Sequence, residues 1–242
     1  ERSIVEYRKE VEAEWADLAN GTGTLTREIV DGIAARFTTP PYRTLPKKDS
    51  ELQTYLDAEA GFSRWHGRNV HAHKVPGYAA VTLSLKRPGV PPGDVTADQM
   101  DAIADLADRY SFGELRVSHE QNLVLPDVEQ RQLHALWREL KALGIAVPNI
   151  GLITNMIACP GGDFCGLANA VSIPVALAIN ERFEDLDYQH DIGELDLNIS
   201  GCMNSCGHHH VGHIGILGVD KNGEEWDQIS DRKSTRLNSS HL

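Results

Sequence analysis

All four cysteines of this 242-residue chain lie in two short stretches, CPGGDFC at 159–165 and CMNSC at 202–206. Cysteines can hold zinc, hold an iron–sulfur cluster or form disulfides. Zinc knuckles usually have two to four residues between their cysteines, which the second pair satisfies and the first does not. A cluster is larger than one ion, so wider loops can hold it. The spacing favours a cluster over zinc and leaves both open.

Glycines surround both cysteine pairs and strengthen the cluster interpretation. They allow the backbone to approach a bound group closely. Backbone amides directed at the sulfurs also tune the reduction potential of a cluster, a requirement that structural zinc hardly has. The glycines concerned are Gly161, Gly162, Gly166, Gly201 and Gly207.

The composition is that of an ordinary globular protein, with 41% hydrophobic and 24% charged residues. A formal charge of −12 argues against a nucleic-acid partner. The sequence has no run of eighteen apolar residues and no signal-peptide pattern at its start. These features predict a cytoplasmic chain with reduced thiols and no membrane partner.

The first two thirds of the chain alternate between helical and strand patterns. Residues 1–37 predict two helices, which a Pro-rich connector follows. A strand is predicted over 78–85, a helix after the N-cap Thr96, short strands over 114–118 and 121–125, and an amphipathic helix that ends at Gly144. This order favours an α+β sandwich with helices on one face of a sheet.

The last third places the cysteines relative to predicted strands. Pro174 predicts either a late start or a kink for the helix after the first pair. The strand LDLNIS leads into the second pair, and HHHVGHIGILGVDKNGEEWDQIS predicts a further strand, an Asn-Gly turn and a returning strand. Both cysteine pairs are therefore expected on loops at strand ends, with His208, His209, His210 and His213 alternating along a strand.

The final residues differ from the rest. DRKSTRLNSSHL has no apolar periodicity, and codons for residues 231–241 can spell a common sequencing-adapter sequence. We therefore expect residues 231–242 to be a non-native tail and the natural protein to continue differently.

The signature Cys159-x₅-Cys165 … Cys202-x₃-Cys206, within CPGGDFCGLANA and SGCMNSCGHHHVGHIGILG, resembles that of the siroheme-containing nitrite and sulfite reductases. The resemblance covers about residues 65–230 and includes VPGYAAVTLSLKRPG and FGELRVSHEQNLVLPDV. It implies a [4Fe-4S] cluster on Cys159, Cys165, Cys202 and Cys206, with Cys206 also ligating a siroheme.

The same resemblance suggests residues near the siroheme. The family pattern Arg-x-Thr-x-x-Gln-Asn matches Arg116, Gln121 and Asn122, with Ser118 in place of Thr. It implies Gln121 near the siroheme and Asn122 close by, while Arg116 could serve there or be an ordinary surface arginine. Lys86 is expected to be a solvated charge, or alternatively to help neutralise siroheme carboxylates.

The resemblance implies an α+β chain: a ferredoxin-like half domain, then the start of a siroheme/[4Fe-4S]-binding α+β domain. The predicted divisions are a helical segment with its Pro-rich connector over 1–64, the half domain over 65–147, the incomplete cluster domain over 148–230 and the tail. In the family, most cations that bind substrate come from an earlier repeat. The catalytic residues are therefore unknown here, and we expect the chain to be inactive alone.

The implied activity is six-electron reduction of a small oxyanion, sulfite to sulfide or nitrite to ammonia, with a flavoprotein or a ferredoxin as electron donor. Two alternatives remain at this point: a non-catalytic cluster- or zinc-stabilised module, and a precorrin-processing relative that shares the cysteine signature. The four histidines after Cys206 are expected to be structural or to support the bound group, and proton delivery by them stays open.

Overall fold

A computed structural model describes residues 3–19, 21–219 and 229–233, the last range by its backbone alone. The chain divides into two compact units, Glu1–Arg43 and Thr44–Leu242. The sequence predicted a division after residue 64, a position that falls inside the helix Ala60–Asn69.

The first unit contains two helices, α1 (Ile4–Leu18) and α2 (Arg27–Ala34). Ser3 and Glu6 form a capping box at the start of α1, and the Thr26 hydroxyl accepts a hydrogen bond from the amide of Ile29 in α2. Neither of these two helices has a buried side chain. The prediction of two helices in residues 1–37 is confirmed.

The second unit begins with helices α3 (Ser50–Ala58) and α4 (Ala60–Asn69) and continues into an antiparallel sheet. Its strands lie in the order β1-β2-β4-β3, and two longer helices connect or follow them. The elements are β1 (Val70–Ala72), β2 (Tyr78–Leu83), α5 (Ala97–Tyr110), β3 (Arg116–Val117), β4 (Leu123–Glu129) and α6 (Leu133–Ala142).

One hydrophobic core unites this sheet with α3 to α6. Val81 of β2, Leu125 of β4, Ile103 of α5 and Leu136 of α6 are all fully buried in it. Phe62 and Trp65 of α4 are buried in the same core. The sequence did not predict α3 and α4, and this shared core is why they belong to the half domain.

The second sheet carries the cysteines. It has the order β5-β6-β7-β8, with β5, β6 and β7 parallel and β8 antiparallel to β7. Its elements are β5 (Ile157–Ala158), α7 (Ile173–Arg182), α8 (Leu186–Ile192), β6 (Leu197–Ser200), β7 (Ile214–Gly218) and β8 (Ile229–Lys233). The two helices form the crossover between the parallel strands β5 and β6. Pro174 lies in the first turn of α7, which confirms the predicted late start.

The histidine-rich segment departs from the prediction. A strand was expected to include His208 and His213, but β7 begins only at Ile214. His208 has a φ of 53° and its amide donates to the carbonyl of Ser205 at 2.8 Å, so the segment turns before the strand begins. The prediction that these histidines alternate along a strand is therefore wrong.

The returning strand of the predicted hairpin is β8, which pairs with β7. The predicted Asn222-Gly223 turn lies outside the described residues. Residues 231–233 of the expected tail form the end of β8, and residues 234–242 lie outside the described part of the chain. Among the described residues no helix is long and apolar enough to cross a membrane.

Candidate metal and cofactor site

Both cysteine loops leave the same edge of the second sheet. Cys159 directly follows β5, and Cys202 follows β6 after a single glycine. Because β5 and β6 are parallel, their carboxyl ends meet at one edge, and the amide of Cys159 donates to the carbonyl of Ile199 at 3.0 Å. The prediction that both pairs lie on loops at strand ends is confirmed.

Hydrogen bonds join the two loops. The amide of Gly201 donates to the Sγ of Cys159 at 3.0 Å, and the amides of Asn169 and Ala170 donate to the carbonyl of Gly201 at 2.8 and 3.0 Å. Within the first loop the amide of Cys165 donates to the carbonyl of Gly161 at 2.9 Å. The first cysteine thus already accepts the kind of amide hydrogen bond that iron–sulfur clusters use.

Two glycines are required where the loops touch. Gly161 has a φ of 59°, and a Cβ there would lie 2.6 Å from the amide nitrogen of Ser172. A Cβ on Gly201 would lie 2.8 Å from the Cα of Gly161 and 2.7 Å from the carbonyl oxygen of Ala170. The backbones approach too closely here for any side chain, which accounts for part of the glycine pattern in the sequence.

The four thiols differ in exposure. Cys159 and Cys202 are buried, Cys165 is partly buried and Cys206 is exposed. Phe164 and Met203, one on each loop, are both 83% exposed. Two of the cysteines are therefore buried, whereas Cys206 and the apolar side chains of Phe164 and Met203 are open to solvent.

The four cysteine thiols are chemically suited to an iron–sulfur group. Among the described residues, no three His, Cys, Asp or Glu side chains lie close enough together to hold a metal ion. Four thiols on two joined loops, one of them bonded to an amide, provide what a cubane cluster needs: four separate sulfur ligands and amide donors. The residues present fit such a cluster.

Gln121 contacts the strand that leads into the first cysteine. Its side-chain Nε2 donates to the carbonyl of Ala158 at 2.7 Å, and the amide of Ala158 donates to its Oε1 at 3.0 Å. Asn122 is buried, its Oδ1 accepts from the amide of Leu85 at 3.1 Å, and its Nδ2 donates to Asn155 at 2.9 Å. Both residues connect the half domain to the region of the cysteines.

Arg116 has a different position from the other two residues of its motif. It lies at the start of the short strand β3, its side chain is 60% exposed, and it forms an ion pair with Glu114 at 2.6 Å. The structure brings Gln121 against Ala158 and Asn122 against Asn155 but leaves Arg116 on the surface. A role for any of the three at a siroheme stays a prediction.

Comparison with known proteins identifies the context of this site. Residues 81–143 match the family model of the nitrite/sulfite reductase ferredoxin-like half domain. The chloroplastic ferredoxin–nitrite reductase of Betula pendula is 35% identical over 206 residues, which are 80% of this chain and 33% of the relative. A ferredoxin-dependent sulfite reductase of Mycolicibacterium paratuberculosis is 32% identical over 140 residues, which are 55% of this chain and 25% of the relative.

A solved structure agrees. The NirA protein of Mycobacterium tuberculosis matches with a TM-score of 0.50 and 28% identity, over 68% of this chain and 29% of that protein. The chain belongs to the nitrite/sulfite reductase family. It spans about a third of the length of the Betula relative.

This membership confirms the predicted fold class, an α+β arrangement that contains a ferredoxin-like half domain. A buried polar network joins the half domain to the region that carries the cysteines. The hydroxyl of Ser84 donates to Asn149 at 2.6 Å, Asn149 donates to Thr154 at 3.0 Å, and Thr154 donates to Gln189 of α8 at 2.6 Å. All four residues are buried, so these hydrogen bonds form away from water.

Lys86 was misjudged from the sequence. It was expected to be a solvated charge, but its side chain is fully buried. Its Nζ donates to the backbone carbonyls of Glu120 and Gln121. A lysine that follows a strand and precedes Arg87-Pro88 gives no sequence signal of burial, because lysine at such a position is normally solvated.

A polar cavity of about 320 Å³ lies beside residues 119 and 120, which come between β3 and β4. It is lined by the charged or titratable residues His119, Glu120, Asp196 and His208, together with Asn155, Ile157, Asn198 and Val211. Sequence analysis named His208 but not the others, whose convergence depends on the packing of β3–β4 against β5 and β6.

Proposed function

We propose that this chain forms the cluster-binding part of a siroheme-dependent nitrite or sulfite reductase. Cys159, Cys165, Cys202 and Cys206 would hold a [4Fe-4S] cluster, and Cys206 would be shared with the siroheme. The observation that carries the proposal is the meeting of both cysteine loops at one sheet edge, where the amide of Gly201 donates to the Sγ of Cys159.

The assignment of Cys206 to the shared position is supported by its exposure. Cys206 is exposed, whereas Cys159 and Cys202 are buried. A macrocycle needs open space beside its ligand, and the cysteine loops also expose the apolar side chains of Phe164 and Met203. An apolar surface of this kind can pack against the face of a tetrapyrrole.

When bound, the joined siroheme and cluster would supply the electrons for a six-electron reduction of the oxyanion. The residues of this chain would hold and orient the group. The amide of Gly201 would donate to one ligand sulfur, and the Gln121 side chain would fix the backbone of Ala158 next to that ligand.

The substrate class we propose is a small oxyanion, nitrite or sulfite, since relatives named for both substrates match this chain. The donor we propose is a ferredoxin, because the relatives named above are ferredoxin-dependent enzymes. Arg116 would be one candidate to pair with a siroheme carboxylate, in exchange for its present partner Glu114.

The test is siroheme binding to the chain before and after anaerobic loading with iron and sulfide. The siroheme absorption should change on mixing only with the loaded chain, and nitrite or sulfite should then alter that spectrum. Cys206→Ser is expected to abolish the change. Siroheme binding that is equal with and without the cluster, or a chain that never binds siroheme, would overturn the proposal.

A further inference from the structure

Lys86 is a buried lysine whose amino group lies against the backbone of another segment of the chain. Its side chain is fully buried, and burial lowers its pKa to about 7, which the negative charge of Glu120 partly opposes. A buried ammonium is tolerated only where it is hydrogen-bonded. Here its Nζ donates to the carbonyl of Glu120 and, at 3.2 Å, to that of Gln121.

These two carbonyls belong to the tight turn between β3 and β4. The amide of Ser118 donates to the carbonyl of Asn122 at 2.8 Å, and the amide of Gln121 donates to the carbonyl of Ser118 at 3.2 Å. Gln121 has a φ of 57°, a left-handed conformation that is unfavourable for a residue with a Cβ. Such a conformation persists only when neighbouring groups hold it.

The loop that follows Lys86 closes over the same residue. The amide of Gly93 donates to the carbonyl of Leu85 at 3.0 Å, and a Cβ on Gly93 would lie 3.1 Å from the Cβ of Gln121. Lys86 therefore holds Gln121 by a hydrogen bond to the carbonyl of Gln121. The loop that contains Gly93 packs against the same residue.

Gln121 in turn fixes the approach to the first cysteine. Its side-chain amide engages both the N–H and the C=O of Ala158, at 3.0 and 2.7 Å. Ala158 is the last residue of β5 and is followed by Cys159, whose amide donates to Ile199. These two hydrogen bonds occupy both backbone groups of Ala158, as pairing with a neighbouring strand would. They restrict movement of the backbone before Cys159.

We propose that Lys86 is a positioning residue for Cys159 and that it acts through Gln121. It touches no cysteine. The hydrogen bonds from its amino group maintain the left-handed turn from which the Gln121 side chain holds Ala158. The consequence for a cluster rests on the proposed function, whereas the effect on the backbone of residues 157–159 does not.

The experiment compares the full chain with Lys86→Met, which keeps the length of the side chain but removes its donors and charge. Lys74→Met, at an exposed lysine of the same half domain, is the matched control. Amide hydrogen exchange at 157–159 and alkylation of Cys159 are followed by mass spectrometry, with the exposed Cys206 as internal reference. We expect both rates to rise about tenfold in Lys86→Met and to stay unchanged in the control.

A double-mutant cycle tests the route. Gln121→Leu should raise exchange at 157–159 by a similar factor, and Lys86→Met should add little in the background of Gln121→Leu. Additive effects would show that Lys86 does not act through Gln121. An unchanged rate at 157–159, or an increase spread evenly over the whole half domain, would overturn the positioning role.

If Lys86→Met fails to fold by circular dichroism, Lys86→Gln keeps an amide donor and should give a smaller but still local increase. Cluster loading provides a separate readout. A wild-type chain that takes up no iron and sulfide contradicts the proposed function and leaves the exchange result to decide on Lys86. If the wild type takes up iron and sulfide but hydrogen exchange is unchanged in the variants, only the positioning role of Lys86 is rejected.

Discussion

At the residue scale, Gly201 controls how closely the two cysteine loops approach each other. A Cβ at this position would lie within 2.8 Å of backbone atoms from the other loop, whereas a Cβ on Gly166, which also flanks a cysteine, would meet nothing within 4 Å. The two glycines therefore have different reasons to be present, although the sequence shows them as equivalent.

We expect Gly201→Ala to separate the loops, because the contacting atoms belong to backbone and cannot swing away. The variant should lose roughly 1–3 kcal/mol of unfolding free energy and most of its capacity to take up iron. Gly166→Ala is the control and should behave like the parent chain in both measurements, urea unfolding and iron content. Equal behaviour of the two variants would contradict the close approach of the loops.

Lys86 also predicts a dependence of stability on pH. Burial lowers its pKa from an ordinary 10.5 to about 7, so between these values the unfolded chain binds more protons at this residue than the folded chain. Its contribution to folding stability is therefore lost as the pH falls through this window and regained as the pH rises. We expect the unfolding free energy of the parent chain, relative to Lys86→Met, to increase from about pH 7 to about pH 9. A flat or falling difference in urea unfolding would contradict the burial of this amine.

At the element scale, the sequence predicted most strands and helices near the site, since their patterns are local. Thr96 correctly predicted the start of α5, and the stretch LDLNIS correctly predicted β6. The helices α3 and α4 were missed because each has few buried apolar residues, Leu52 in α3 and Phe62 and Trp65 in α4. The histidine run was misplaced because a strand and a turn can share the same polar pattern, and only the hydrogen bond from His208 to Ser205 distinguishes them.

The candidate site was predictable only in part, for a similar reason. Cysteine and glycine spacing indicated the four ligands, which remain a prediction. The Gln121 contact with Ala158 joins residues that are far apart in sequence, and the burial of Lys86 depends on a loop that closes over it. Neither contact has a local signal, because each joins segments that are far apart in the sequence.

The polar junction between the half domain and the region that carries the cysteines gives a further expectation. Thr154 bridges Asn149 and Gln189, so Thr154→Val would remove the donor to the buried Oε1 of Gln189 and one acceptor of the Asn149 side-chain amide. We expect a loss of about 1–3 kcal/mol in urea unfolding. Thr54→Val on the exposed face of α3 is the control, and a change of less than about 0.5 kcal/mol is expected there. Similar losses of unfolding free energy in both variants would argue against this hydrogen-bond network as a stabilising connection between the two regions.

At the scale of the whole molecule, the chain divides after Arg43, and the helices α1 and α2 bury no side chain. Removal of residues 1–43 should therefore leave the thermal unfolding midpoint of the remaining unit unchanged, because no core residue is lost. Calorimetry of the shortened and full chains measures this directly. A clear drop in the midpoint would mean that the first unit stabilises the second.

The central claim is that four cysteines on two joined loops hold an iron–sulfur cluster rather than zinc. Metal and acid-labile sulfide analysis of the anaerobically prepared chain tests it most directly, with Cys159→Ser and Cys206→Ser beside the parent. We expect iron and sulfide in equal amounts and no zinc in the parent chain, and loss of both iron and sulfide in each variant. Stoichiometric zinc without sulfide, or iron retained in both serine variants, would contradict it.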